Sequence, residues 1–301
     1  MTNRAELVVG MPRRVEAGLA HTLLLALGRF AVRQPLGAAG ALIVLTLVMT
    51  AIFAPQLAPH GPKEATFPQY RPPSAEFPMG TDQIGRDILS RVIWGARLSL
   101  YVGLVSVGFG ITLGALWGVV TAYFGGAADT ASQRAVDVLM SLPPIILALS
   151  LMAALGQSVN NVILALTILL IPTAARTLRS VALSLKETPY VEAARASGCS
   201  HWRIIFLHVL PNTFATYIVL FTVNIAYAIV VEAALSFLGL GAPPDEPSWG
   251  GMLTAGTQSM ESAPWVIFFP GVAISLTVFG LNLLGDAIRD LTDPRLRGGL
   301  G

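Results

Sequence analysis

Long apolar segments recur along this chain, and they restrict its fold more than any other feature. Most have close to the ~20 residues that a helix needs to cross the hydrocarbon core of a bilayer. Backbone polar groups in lipid must be satisfied within the segment, so helices are the expected form. Because 54% of the 301 residues are hydrophobic and only 12% are charged, a water-soluble fold is not expected. The sequence predicts an all-α integral membrane protein with six transmembrane helices, at residues 36–54, 98–124, 136–155, 162–175, 213–238 and 265–284.

The charges that flank these segments predict their orientation. The first 35 residues carry five arginines against two glutamates, whereas segment 242–264 carries three acidic residues and no lysine or arginine. Positive flanks stay on the cytoplasmic side, so both chain ends are expected in the cytosol. The expected segments are a cytosolic N-terminal tail with an interfacial helix at 19–32 (1–35), a six-span domain (36–288), an irregular external loop (55–97), a short cytosolic turn (125–137) and a cytosolic C-terminal tail (289–301).

Glycines and prolines within the spans predict how the helices pack and bend. Gly110, Gly114 and Gly118 recur every four residues on one face of the second span, a pattern that lets membrane helices approach closely. The alternative is that these glycines only make the helix flexible. Pro143 and Pro144 interrupt the third span, and a kink is expected there because proline removes a backbone hydrogen bond.

The most distinctive polar segment, 188–212, lies in a predicted cytosolic loop at 176–212. Thr188 is placed to cap a helix that starts with a proline, and Gly198 is placed to end that helix in a left-handed conformation. Ser200 can cap a second helix, which Pro211 is expected to stop. The predicted apolar face of this second helix consists of Trp202, Ile205, Phe206, Val209 and Leu210. Two helices joined by a glycine turn could act as a lever between a cytosolic partner and the bilayer.

Several motifs in this chain resemble a known family. Glu192-Ala193-Ala194, Gly198 and Leu210-Pro211 are similar to the EAA loop of ABC importer permeases, although an isoleucine usually stands where this chain has His208. The segments FPMGTDQIGRDILSRVIWGARLSL, AALSFLGLGAPPDEPSWGGML and NLLGDAIRDLTDPRLRG resemble the C-type permease of dipeptide, oligopeptide and nickel importers. The resemblance covers residues 36–298. An ordinary amphipathic loop between two spans is the alternative for 188–212.

This resemblance implies a type I ABC importer fold and a peptide transport function. It also implies a homologous permease, two ATPase subunits and an external substrate-binding protein as partners, in a bacterial inner membrane whose lipid surrounds the spans. ATP and magnesium would be bound by the ATPase subunits, and no cofactor by this chain. The residues that the resemblance assigns to ATPase coupling are Tyr190, Glu192, Ala193, Ala194, Ala196, Gly198, Trp202, Phe206, Leu210 and Pro211.

Catalytic and metal sites are not expected from the sequence. No segment fits the phosphate-binding loop G-x-x-x-x-G-K-S/T, so this chain is not its own ATPase. The four histidines fall outside the predicted spans and no H-E-x-x-H motif is present, which argues against a membrane-embedded hydrolase. Cys199 is the only cysteine, so neither a disulfide nor a cysteine metal cluster can form. The net charge of +2 gives no reason to expect a nucleic-acid partner.

A few polar residues lie within the predicted spans. Glu232 either lines the translocation path or reaches the wet outer interface, since an ionised group in hydrocarbon is costly. Asn224 is a second candidate for the path, but Asn224 and Asn282 are expected to form hydrogen bonds between helices. Nickel, glutathione or another small solute remains an alternative cargo. A six-span secondary transporter is less favoured, because no inverted repeat is evident.

Overall fold

The computed structural model describes residues 31–32 and 34–292, and within these residues the regular secondary structure is helical, apart from one isolated bridge between Thr81 and Asp87. The expected interfacial helix at 19–32 lies outside the described residues except for its last two positions. The helices are α1 (Pro35–Ile52), α2 (Ala54–Leu57), α3 (Ile88–Phe124), α4 (Gly126–Met140), α5 (Pro144–Leu155), α6 (Val159–Leu185), α7 (Pro189–Ala196), α8 (His201–Ile204), α9 (Phe214–Phe237), α10 (Trp249–Thr257) and α11 (Trp265–Thr292).

Six spans fit the described helices. Five segments are long and apolar enough to cross a membrane: α1, α3, α6, the stretch His201–Phe237 and α11. A sixth span forms if α4 and α5 are taken as one broken span, since together they pass the same test but are bent by 85°. The bend lies at Pro143-Pro144, where the kink was predicted. Pro143 is extended (φ −54°, ψ 131°), because a residue before proline is excluded from the helical region.

Two of the predicted segment boundaries are wrong. The expected external loop at 55–97 ends at Asp87, whose carboxylate accepts a hydrogen bond from the Ser90 backbone N–H at 3.0 Å and caps α3. The expected turn at 125–137 is mostly helix α4. Its residues Asp129 and Val136 are buried, and both Asp129 oxygens accept hydrogen bonds from Arg179 of α6 at 2.6 Å.

Helix α3 is the central helix and packs along α6 at very short range. A Cβ placed on Gly110 would lie 2.7 Å from the Leu170 Cβ, and one on Gly118 would lie 2.1 Å from the Ala175 carbonyl oxygen. A Cβ on Gly114 would lie 2.5 Å from the Ile171 carbonyl oxygen of α6. The three glycines therefore lie where any side chain would push the two backbones apart.

A second glycine contact joins the first and last spans. A Cβ on Gly40 of α1 would lie 2.7 Å from the Leu283 Cβ, and one on Gly280 of α11 would lie 2.5 Å from a methyl group of Ile43. Sequence analysis missed this pair, because its two members are far apart in the chain and form no repeat. The pair brings α1 against α11, so the ends of the described chain meet on one side of the bundle.

The later spans are longer than predicted. Helix α6 continues ten residues beyond the expected end at 175, and α11 extends to Thr292. Pro211 does not stop α8, because the chain continues through a π-helical turn (Ile205–Val209) and a 3₁₀ turn (Leu210–Thr213) into α9. The π turn offsets the hydrogen bonding by one residue, and Pro211 then occupies the first turn of the 3₁₀ segment, where a missing N–H is tolerated.

The two ends of the bundle differ in structure. We call the end that carries segment 58–87, α10 and segment 238–248 the loop end, and the end that carries α7 and α8 the elbow end. At the loop end, the indole N–H of Trp249 donates to the Val92 carbonyl at 3.0 Å, and that of Trp265 donates to the Thr81 carbonyl at 3.4 Å. Phe67 packs against the rings of both His60 and Phe77, with centroid distances of 4.6 and 5.0 Å. The proline-rich loop is therefore irregular but tightly held.

Gly118→Ala tests the close approach of α3 and α6. The new methyl group would overlap a backbone carbonyl that cannot move without displacing α6, so we expect a loss of about 1–3 kcal/mol in stability. The measurement is the thermal unfolding midpoint of the detergent-purified protein. Gly108→Ala is the matched control, since a Cβ on Gly108 meets nothing within 4 Å. Equal midpoints for the two variants would show that the close contact is not required.

Candidate functional site: the elbow between α7 and α8

The turn between α7 and α8 is set by Gly198. Its φ is +76°, and its N–H donates to the Arg195 carbonyl at 3.0 Å while the Cys199 N–H donates to the Ala194 carbonyl at 3.1 Å. These two bonds form a Schellman motif, which satisfies carbonyls at the end of a helix. The left-handed glycine predicted at this position is therefore present. No other atom lies within 4 Å of a Cβ placed there, so only the backbone conformation requires glycine.

The caps of the two helices match the predictions only in part. Ser200 accepts a hydrogen bond from the Arg203 N–H at 3.4 Å and caps α8 as expected. Thr188 precedes α7 in an extended conformation, but its hydroxyl donates to the Leu185 carbonyl and caps nothing. Its backbone carbonyl instead accepts the N–H groups of Val191 and Glu192, at 3.0 and 3.1 Å.

Four buried apolar side chains anchor the elbow to the spans. Val191 of α7 and Ile204, Ile205 and Val209 of the following segment have no exposed surface. They pack in one cluster with residues of α3 and α6, namely Ala115, Val119, Ala122, Tyr123, Leu178 and Ala182. A displacement of the elbow must therefore displace the ends of these two spans, or break the cluster.

The predicted apolar face of the second helix is partly wrong. Ile205 and Val209 are buried as expected, but Trp202 is 54% exposed and Phe206 is 47% exposed. The two exposed rings stack on each other with centroids 6.0 Å apart. Ile204, which was not predicted, is buried in their place, because the segment turns its Ile204–Ile205 side toward α3 and α6.

The exposed side of the elbow is small, aromatic and weakly charged. Val191 is the only buried residue of α7, and Ala194 is half-buried. The exposed residues that sequence analysis singled out are Tyr190, Glu192, Ala193, Ala196, Gly198, Trp202, Phe206 and Pro211, with Leu210 half-buried. Within the described part of the chain, Glu192 has no ion-pair partner. The small side chains on this surface would let a partner protein approach the α7 backbone closely, and the exposed Glu192 and aromatic rings are available for contacts with it.

Beside the elbow, basic and aromatic side chains, together with the acidic Glu187, surround a cavity of about 310 Å³. The Tyr123 hydroxyl lies 3.1 Å from Nδ1 of His201, and the Arg195 guanidinium lies over the Tyr123 ring at 6.0 Å. Lys186 also lines the cavity and donates to the Ala122 carbonyl at 3.3 Å. Sequence analysis missed the role of Tyr123, which lies at the end of a span with no local polar signal. The cavity could receive an acidic side chain.

Glu232 is 1% exposed and lies between α9 and α10, so it does not reach the wet interface. A place for Glu232 in the translocation path stays a prediction. Its Oε1 accepts hydrogen bonds from the hydroxyls of Ser236 at 2.8 Å and Ser248 at 2.9 Å. Ser248 is the N-cap residue of α10, and its hydroxyl oxygen accepts from the Gly251 N–H at 3.3 Å. The carboxyl group therefore joins the fifth span to α10.

Neither asparagine forms the bond predicted between helices. The Asn224 side-chain amide donates to the Leu220 carbonyl of its own helix at 2.7 Å, and the residue is half-buried. Asn282 is exposed on α11. A hydrogen bond to the same helix satisfies an asparagine in an apolar span without any partner helix. A role for Asn224 in the translocation path stays a prediction.

Among the residues that the structure describes, no group of three or more histidine, cysteine, aspartate or glutamate side chains could hold a metal ion. The elbow has an exposed surface that a partner protein could bind, and its buried side packs on the spans. A partner that moves the elbow could therefore also move the spans.

Comparisons with known proteins show which family this chain belongs to. The family described as "Binding-protein-dependent transport system inner membrane component" matches residues 110–298, and "N-terminal TM domain of oligopeptide transport permease C" matches residues 25–73. A dipeptide transport system permease protein of Alkalihalophilus pseudofirmus is 41% identical over 267 residues, 88% of each chain. A glutathione transport system permease protein of Pectobacterium atrosepticum is 41% identical over 268 residues, 88% of this chain and 89% of its own.

A solved structure of the methionine ABC transporter MetNI, in an inward-facing conformation, shares the fold. Its matching chain is 21% identical with a TM-score of 0.56, and the match covers 68% of this chain and 98% of that one. At this identity the likeness shows the fold alone, which is that of a type I importer. With the family match and the two relatives, the chain belongs to the binding-protein-dependent inner membrane components, the membrane-spanning permeases of ABC importers.

Proposed function

We propose that this chain is one of two permease subunits of an ABC importer for peptides of the dipeptide and oligopeptide class. It would form the translocation path with a homologous permease, take its substrate from an external binding protein and be driven by two ATPase subunits that bind ATP and magnesium. The names of its relatives support peptides as cargo. Glutathione, itself a tripeptide, is the second candidate, because a relative named for glutathione transport is as similar as the one named for dipeptides.

The observation that carries the mechanism is the continuity of the elbow with the fifth span. From His201 to Phe237 the chain is one helical stretch of 37 residues, so a displacement of α8 acts directly on α9. The buried residues Val191, Ile204 and Ile205 transmit the same displacement to α3 and α6. ATP-driven closure of the ATPase subunits would thus move three spans at once and alternate the side to which the path opens.

The elbow end is assigned to the cytosol of a bacterium, in its cytoplasmic membrane. Basic residues exceed acidic ones around the elbow: Arg176, Arg179, Lys186, Arg195 and Arg203 compare with Glu187 and Glu192. Cytosolic loops carry such an excess. With six spans both termini are cytosolic, and segment 58–87, α10 and segment 238–248 are external.

Single cysteines in a Cys199→Ser background test this orientation. A cysteine at Ser197, exposed beside the elbow, should be protected from an impermeant maleimide in intact cells, whereas one at Glu261, exposed at the loop end, should be labelled. Permeabilised cells are the control and should show labelling of both. Labelling of Ser197→Cys but not Glu261→Cys in intact cells would reverse the assigned orientation.

Gly198→Val tests the elbow as the coupling element. A β-branched residue at φ +76° is strained by at least ~1 kcal/mol, and the angle between α7 and α8 should change to relieve that strain. We expect normal membrane insertion but little co-purified ATPase and a loss of most binding-protein-stimulated ATP hydrolysis. Gly156→Val is the matched control, because Gly156 has φ +83° with open space around it but lies at the loop end. If the two variants behave alike, the elbow has no special role.

Glu192→Ala tests the docking surface itself. Glu192 is exposed on α7, so its removal should leave the fold intact while the complex loses one charged contact. Loss of a charge-assisted contact at an interface typically weakens it by ~1.5–3 kcal/mol, which predicts at least about tenfold lower stimulated hydrolysis at limiting ATPase concentration. Glu261→Ala removes an exposed charge at the opposite end and should have no effect. Parent-like hydrolysis and uptake in Glu192→Ala would argue against docking at α7.

The cargo is tested with the separate binding protein. The complex in liposomes, supplied with its binding protein, should take up a radiolabelled dipeptide only when ATP is present inside. Glutathione in excess is the competitor that separates the two candidates. Efficient competition by glutathione together with weak competition by unlabelled dipeptides would favour the glutathione assignment, and no ATP-dependent dipeptide uptake would contradict peptide import.

A further inference from the structure

A cavity of about 470 Å³ at the loop end is lined by a buried cation that has no ion-pair partner among the described residues. Arg91, near the start of α3, lines this cavity and is only 2% exposed. Its guanidinium donates to the carbonyls of Pro62 at 2.8 Å and Glu246 at 3.4 Å, and its Nε has no hydrogen-bond partner. Within the described part of the chain, no carboxylate lies at ion-pair distance from it. A buried charge is costly unless it is paired, so Arg91 is a site that a carboxylate would stabilise.

A second guanidinium lies in the same cavity wall. Arg86 is 7% exposed, and its Nε forms an ion pair with Asp82 Oδ2 at 2.6 Å. Asp82 also accepts hydrogen bonds from the backbone N–H groups of Ile84 and Arg86, at 3.0 and 2.9 Å. Of the two cations in the cavity wall, only Arg86 is therefore held in an ion pair. The guanidinium of Arg91 has no carboxylate in contact, which favours the binding of an anion beside it.

Small and apolar residues such as Ile84, Ala242 and Pro244 form much of the remaining cavity wall. The side chains of Gln83, Gln157 and Thr254 line it and offer amide and hydroxyl groups. Asp245, at the rim, is exposed and bound to Lys63 at 2.7 Å. The hydrogen bond from Lys63 lowers the pKa of Asp245, so this carboxylate is ionised. An exposed ion pair of this kind is worth little, and Asp245 can exchange Lys63 for another cation.

We propose that this cavity is a binding site for a short zwitterionic peptide, with the terminal carboxylate at Arg91 and the amino terminus toward Asp245. The inference rests on the proposed peptide import and on the assignment of the loop end to the outside, where a binding protein would release its cargo. A volume of about 470 Å³ lies within the ~300–1,000 Å³ range of small-molecule sites and far exceeds the space that one carboxylate needs. A site that recognises only the two termini of a peptide does not select among peptides by their side chains.

The test uses the assembled complex in lipid nanodiscs without its binding protein. Saturation-transfer difference NMR reports direct contact with three probes: dialanine, dialaninamide and N-acetyl-dialanine. We expect a clear signal from dialanine and one about tenfold weaker from dialaninamide, because the amide cannot form the charged contact with Arg91. Equal signals from dialanine and dialaninamide in the parent complex would overturn the proposal.

Two variants assign the contacts. Arg91→Gln should abolish the preference for dialanine over dialaninamide, and Arg91→Lys, which keeps the charge, should restore part of it. Arg97→Gln is the matched control on the same helix, since Arg97 is exposed and lies outside this cavity. Asp245→Asn should leave the carboxylate preference intact and make N-acetyl-dialanine bind as well as dialanine. An unchanged preference in Arg91→Gln would contradict the site.

An acidic side chain of the binding protein is the competing occupant of the cavity. If Arg91→Gln weakens docking of the peptide-free binding protein while the dialanine signal is unchanged, the carboxylate comes from that protein and the peptide site is wrong. Failure of the proposed function is a separate result. A parent complex that takes up dipeptide but shows no carboxylate-dependent binding refutes only this site, whereas one that takes up no dipeptide refutes peptide import.

Discussion

The near-contact of two helix backbones, α3 and α6, is the constraint on which the rest of the structure depends. Carbonyl groups of α6 lie where side chains would stand on Gly110, Gly114 and Gly118. Lipid provides no hydrophobic drive to bring helices together, so van der Waals contact over a close-fitting surface must do so. Because the two helices are paired along their length, their elbow ends form a single platform, and the buried face of the elbow lies on it.

The structure also shows why a proline can lie in the connection between the elbow and the fifth span. If the helical path broke at Pro211, α8 could move without moving α9. The change from π to 3₁₀ hydrogen bonding at Ile205–Thr213 places the proline where no N–H is needed, and the helical path continues. Sequence analysis treated Pro211 as a stop because the usual rule applies to regular α-helices. A local change of helix type can be seen only when the hydrogen bonds are known.

Much of the fold could be predicted from the sequence, and the failures have physical causes. Apolar length gave the six spans, and Gly198 and Ser200 were recognisable because a left-handed turn and a helix cap each favour particular residues. Span ends were missed where helices continue beyond the apolar segment, as α6 does to Leu185. The exposure of Trp202 was missed because periodicity identifies a stripe but not the partner that covers it. The hydrogen bond between Glu232 and Ser248 was not predicted, because Ser248 caps α10, a short helix that hydropathy does not reveal.

The two ends of the bundle are held by different kinds of interaction, and this difference bears on which end can move. At the loop end, the contacts are directional: Trp249 and Trp265 donate to backbone carbonyls, and Glu232 accepts from two hydroxyls. At the elbow end, apolar contacts around Val191 and Ile205 hold the buried face of the elbow on α3 and α6, with the hydrogen bonds of Tyr123 and Lys186 beside them. Directional bonds weaken steeply when their angles change, whereas apolar contact depends mainly on buried area. The apolar contacts beneath the elbow can therefore tolerate a small rotation, which fits the proposed role of the elbow in coupling.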